Sequence, residues 1–154
     1  ILGQDFAASP LTRLLFFLRG YGKRGFQRGS ATFPERLIHF GFTKLEELPG
    51  REVVFGIAGR FWRPNGDLRP LPDREAFAAF AEEGCVKAAW NLQIRPSRTS
   101  PRECELSTET RMRCFGAAAR RKFGCYWALI GPFSGLLRKA LLSGIRRRAE
   151  AAAE

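Results

Sequence analysis

From Phe115 to Ile145 the chain repeats large residues at steps of three and four: Phe115, Ala119, Phe123, Tyr126, Ile130, Phe133, Leu137, Leu141 and Ile145. At 3.6 residues per turn this spacing gathers them on one broad face of a single long helix. An amphipathic helix of that length needs a complementary surface to cover, so the rest of the chain must supply one. Arg121, Lys139 and Arg146 fall roughly opposite the apolar face. Gly131-Pro132 is expected to bend the helix, because proline lacks the donor and its ring crowds the preceding turn. The Ala-rich tail is expected to fray.

Upstream the period falls to two. Phe40–Leu45 reads as a strand, Leu48-Pro49-Gly50 as a turn, and Glu52–Ala58 as the returning strand with Val53, Phe55 and Ile57 on one face. Pro64–Asp67 is a turn, and Arg74–Glu82 a short helix with Phe77 and Phe80 on one side. Cys85–Arg95 places Val86, Ala88, Trp90, Leu92 and Ile94 opposite Lys87, Asn91, Gln93 and Arg95. Glu103–Cys114 alternates Cys104, Leu106, Thr108, Thr110 and Met112 with Glu103, Glu105, Glu109, Arg111 and Arg113. These are half-buried antiparallel strands. Lys87 is expected to face Glu105 or Glu109, and Glu109 and Arg111 to form a cross-strand ion pair. Near the start, Ser9 and Pro10 suit the cap and first position of a helix over 9–19, stopped by Gly20 and Gly22. A basic glycine-rich loop and a short helix near Thr32–Leu37 follow. The chain therefore reads as one α+β domain over 1–154: a helical segment 9–37, a sheet 40–114 and a C-terminal helix 115–150.

Fourteen Phe and three Trp, against two Tyr, must fill a substantial core or line a cavity. The net charge of +11 suits nucleic acid or an anionic membrane, and equally an arginine-rich composition with no such partner. No apolar run approaches the length of a membrane span. The chain starts at Ile1 with no basic-then-apolar leader, which reads as trimmed or incomplete. Cys85, Cys104, Cys114 and Cys125 match no zinc spacing, and His39 is the single histidine, so no metal site is expected. The cysteines read as buried reduced thiols of a cytoplasmic protein, with a Cys85–Cys104 bridge between neighbouring strands as the alternative. Gly56-Ile-Ala-Gly59 lacks the spacing of a dinucleotide fingerprint, and no cofactor is expected.

Leu106-Ser-Thr-Glu-Thr-Arg111, Phe123-Gly-Cys-Tyr-Trp127, Pro132-Phe-Ser-Gly-Leu136 and Ile145-Arg-Arg-Arg-Ala-Glu150 together resemble a bacterial subgroup of the START-like superfamily. This superfamily is also called polyketide cyclase/dehydrase or SRPBCC. Val54–Pro64, Phe77–Phe80 and Lys87–Asn91 extend the resemblance over roughly residues 9–150. It implies a helix-grip fold, a curved antiparallel sheet wrapped around a long C-terminal helix with a deep pocket between them. It also implies a first strand, ahead of the N-terminal helices, after which these residues read as starting. Without that strand an open sheet edge invites pairing with a second chain, and a homo-oligomer is expected. With it supplied from outside these residues the sheet closes and a monomer of greater mass is expected, the alternative the reading favours.

If the alternation holds, Phe55, Trp90, Thr108, Thr110 and Phe123 face the space between sheet and helix, where Thr110 is placed to orient a ligand oxygen. Tyr126 adds a hydroxyl on the helix face, and Trp62, with Arg60 and Arg63, sits at the pocket mouth, where an arginine suits a carboxylate. These seven aromatic and threonine positions are the candidate ligand-binding set. No catalytic set assembles: Asp5, Glu35, Asp67 and Glu75 are scattered, and His39 has no acid and nucleophile beside it. Three functions remain. The first is binding of a hydrophobic or aromatic, lipid- or polyketide-like small molecule. The second is a cyclase- or dehydratase-like enzyme using Tyr126, or else His39. The third is electrostatic binding of nucleic acid or anionic membrane through the basic side of the helix.

Overall fold

The computed structural model describes residues 33–100 and 103–151. The expected helix over 9–19, the loop over 21–30 and the extreme tail lie outside these residues. Helix α1 (Phe33–His39) leads into strand β1 (Thr43–Leu48), which turns into β2 (Glu52–Gly59). A 3-10 turn (Pro64–Asp67), the short strand β3 (Leu68–Arg69) and helix α2 (Arg74–Ala79) follow. Strands β4 (Val86–Pro96) and β5 (Cys104–Cys114) form the long hairpin, and helix α3 (Ala117–Ala151) closes the described chain.

The sheet is antiparallel in the order β1-β2-β4-β5, with β3 paired to the end of β2. Register places Phe55 opposite Trp90 and Trp90 opposite Thr110, so the three lie in one row across the sheet. Val53, Leu92 and Thr108 form the next row, and Ile57, Ala88 and Met112 the row on the other side. One face thus carries the apolar residues and threonines of all three strands, as the alternation requires. That face is covered by α3, which packs chiefly on β5 and buries Ala119, Phe123, Ile130 and Leu141. The result is the helix-grip arrangement: a curved antiparallel sheet with a long C-terminal helix across it.

The second face carries α2 over its β1–β2 end and charged side chains elsewhere. Asp73 caps α2 by accepting a hydrogen bond from the Ala76 amide at 2.8 Å. Lys87, reaching from β4, donates to the Phe77 and Ala78 carbonyls at the helix's other end, both at 2.9 Å. The helix lies so close to β2 that a Cβ on Gly56 would stand 2.6 Å from the Phe77 ring and 2.8 Å from Leu45.

Several boundaries and pairings differ from expectation. The first strand begins at Thr43, not Phe40, because Phe40, Gly41 and Phe42 turn back on α1 through bonds to the Leu37 and Ile38 carbonyls, with Gly41 at φ +88°. Helix α2 ends at Ala79, where Phe80 turns extended. Lys87 faces Arg113, while Glu105 faces Arg95 and Glu109 faces Asn91. Glu109 pairs instead with Arg111 along its own strand, at 2.9 Å, since residues two apart share a face. The cysteines are all free, but only Cys85 is buried, and Cys104 and Cys125 are exposed. No Cys85–Cys104 bridge is compatible with the register: Cys104 lies opposite Pro96, whereas Cys85 precedes the Val86–Cys114 pair at the hairpin's far end. Helix α3 continues through Pro132. It also contains an 18-residue window of mean hydropathy 1.2, long and apolar enough by length and composition to cross a bilayer, which corrects the expectation that no such stretch exists.

Candidate functional site

Beyond Gly59 the chain leaves the sheet and carries Phe61 and Trp62 toward the start of α3. The Phe61 ring meets Phe123 edge-on at 6.2 Å, and Trp127 stacks on Phe123 at 5.7 Å. Tyr126 lies 6.0 Å from the same ring. Phe123, 7% exposed, is therefore the centre of an aromatic cluster built from two turns of α3 and the β2 exit loop. Helical spacing explains the pairing, because residues four apart stand over one another.

Beside this cluster is an open depression of about 520 Å3 lined by Trp62, Arg121, Lys122, Cys125 and Tyr126. Among the described residues its lining combines two aromatic rings, two cations and a thiol, with no acid or histidine. No strand residue is among those lining this depression, so it is distinct from the deep pocket expected between sheet and helix.

The remaining candidates lie further along the sheet. Phe55 is fully buried and stacks on Trp90 at 5.8 Å. Four residues separate this row from the Gly59–Val86–Cys114 row at the sheet's end, a distance of roughly 13 Å at strand rise. The seven candidates thus form two groups, Trp62, Phe123 and Tyr126 at the helix start and Phe55, Trp90, Thr108 and Thr110 deeper on the sheet. The Thr108 hydroxyl donates to the Asn91 carbonyl at 2.6 Å, so it serves the β4–β5 pairing. Phe61, Trp127, Arg121, Lys122 and Cys125 were not among the candidates. Their signal was available in the i, i+4 pairs Phe123–Trp127, Arg121–Cys125 and Lys122–Tyr126.

The arginines expected to await a ligand carboxylate already hold protein carboxylates. Arg69 grips Glu82 with two hydrogen bonds, at 2.7 and 2.8 Å, and Asp67 with a third at 2.8 Å. Arg60 reaches Asp67 at 3.1 Å and Glu82 at 3.5 Å, and Arg63 reaches Asp67 at 3.4 Å. The Arg69 bond holds the Glu82 carboxyl down to about 2 and lowers that of Asp67, while the two acids raise Arg69. Burial, then the bond to Glu82, pushes the Cys85 thiol up, away from reactivity. Burial, with Arg113 nearby, lowers Lys87. His39 ends α1 on an exposed position, edge-on to Phe40 at 6.5 Å. Among the described residues no group of His, Cys, Asp and Glu is arranged to hold a metal ion.

The fold and this depression define an α+β protein of helix-grip form with an aromatic and cationic surface between the loop after β2 and the start of α3. Compared with family models, curated proteins and solved structures, the chain shows no significant match.

Proposed function

We propose that the chain is a cytoplasmic START-like domain that binds a hydrophobic or aromatic small molecule between the sheet and α3. The observation that carries this reading is the depression lined by Trp62 and Tyr126, the latter against Phe123 of the Phe61–Phe123–Trp127 cluster. Aromatic faces bury ring or acyl surface, and a few placed polar groups fix orientation. Arg121 and Lys122 on the rim suit a ligand with an anionic end, such as a carboxylate. Binding is preferred over cyclase or dehydratase chemistry because, among the described residues, the depression offers Tyr126 and Cys125 but no acid or histidine to move a proton at neutral pH.

Native mass spectrometry of protein purified without denaturation tests the reading. A retained small-molecule mass, diminished in Trp62→Ala and Phe123→Leu proteins, is expected. A bare chain that also takes up no added aromatic or acyl carboxylate would overturn it.

A further inference from the structure

We infer that α3 docks flat on an anionic lipid membrane through a stripe of its surface that does not face the sheet. Leu129, Phe133 and Leu136 are 68%, 36% and 50% exposed, and only 11% of the helix's most apolar window is buried. At 100° per residue, Lys122, Leu129, Phe133, Leu136 and Arg147 fall within a strip about 60° wide. The strip is apolar in the middle and basic at both ends. Arg121, Lys139 and Arg146 lie on the neighbouring ridge, roughly 80–100° round the helix. Trp62 and Tyr126, rings with an apolar body and a polar edge, stand beside the Lys122 end.

Charge selects the occupant. Helix α3 carries eight basic side chains and a single acid, Glu150. A second copy would set two such helices against each other. The segment 1–32 holds five basic residues and one acid, so it also brings like charge. A nucleic acid would satisfy the cations but has no use for an exposed Leu-Phe-Leu stripe. An anionic bilayer satisfies both: acyl chains take the apolar stripe while phosphates meet the flanking arginines and lysines. Arg138 and Lys139 in the middle of the helix favour lying on the surface over spanning it.

Co-sedimentation of the full 154-residue protein with vesicles tests this, using phosphatidylcholine alone and phosphatidylcholine with about 30 mol % phosphatidylglycerol. The expected result is binding at least about tenfold tighter to the anionic vesicles, released on raising salt from about 50 to about 500 mM. The exposed triple variant Leu129→Ser/Phe133→Ser/Leu136→Ser, with its fold checked by circular dichroism, should lose at least about tenfold in affinity. The Lys122→Gln/Lys139→Gln/Arg147→Gln variant should lose the preference for anionic lipid. Four results would overturn the proposal: equal binding to both vesicle types, no binding to either, attachment that resists salt and yields only to detergent, or duplex DNA binding tighter than vesicle binding and indifferent to the apolar triple. Self-association abolished by that triple, without vesicle binding, would assign the stripe to a second copy instead. Leu129, Phe133 and Leu136 are not among the residues lining the depression, so the outcome of the apolar triple is distinguishable from loss of a small-molecule ligand.

Discussion

Gly56 shows how much a single hydrogen atom can decide. With no side chain there, the Phe77 ring rests against the β2 backbone and α2 seats on the sheet. Gly56→Ala must displace Phe77 or Leu45, so it should destabilise the protein by about 1–3 kcal/mol, read as a lower urea midpoint at unchanged slope. Glu82 makes a different kind of prediction. Its native carboxyl titrates near 2 against an ordinary value of 4.5, so the folded state binds fewer protons than the unfolded chain between those values. The stability it contributes is complete above about pH 4.5 and disappears as pH falls toward 2; Asp67, lowered by the same arginine, acts in the same sense. Glu82→Gln should therefore reduce stability at neutral pH and flatten its decline below about pH 4.5, measured as unfolding free energy against pH. An acid limb unchanged by the substitution would remove Glu82 from that account.

At the scale of elements, the strands were legible because half-buried antiparallel strands announce themselves by alternation, and β2, β4 and β5 carry the faces that alternation predicts. Register was not legible. Nothing in the two sequences distinguishes Lys87 opposite Glu109 from Lys87 opposite Arg113, the pairing the hairpin adopts. The inner face of α3 was legible within one ridge of the helix. Phe133, three residues beyond Ile130, sits about 60° round from it and points outward, while Leu137 and Leu141 continue the buried side. The candidate site was half legible: Trp62, Phe123 and Tyr126 converge, but the rim cations come from a helix turn read only as solvated surface. The two ridges differ in consequence. Phe123→Ala removes the centre of a four-ring cluster and should cost about 3–5 kcal/mol, whereas Leu129→Ala should lie within about 0.5 kcal/mol of wild type. Denaturant titration compares them, and similar losses would mean that the helix presents a different face to the sheet.

The whole molecule combines a strongly positive charge with aromatic surface at one end of its helix. Sequence alone favoured a small-molecule ligand over nucleic acid or membrane, and left those last two level, because charge counts do not say which residues share a surface. Three-dimensional placement separates them: Asp67 and Glu82 neutralise the arginines of the β2–β3 region, while those of α3 remain beside exposed apolar side chains. The central claim is that the space between sheet and α3 takes an apolar ligand, and the three tryptophans are spaced to report on it. Trp62 lines the depression, Trp127 stacks on Phe123 in the neighbouring cluster, and Trp90 lies further along the sheet against Phe55. Titration of 15N-labelled protein with an aromatic carboxylate, read on the three indole N–H signals, is the most direct test. The account predicts saturable shifts at Trp62 and Trp127, reaching Trp90 with longer ligands, and their loss in Phe123→Ala protein that remains folded. Indole signals that stay fixed across chemically varied apolar ligands would contradict it.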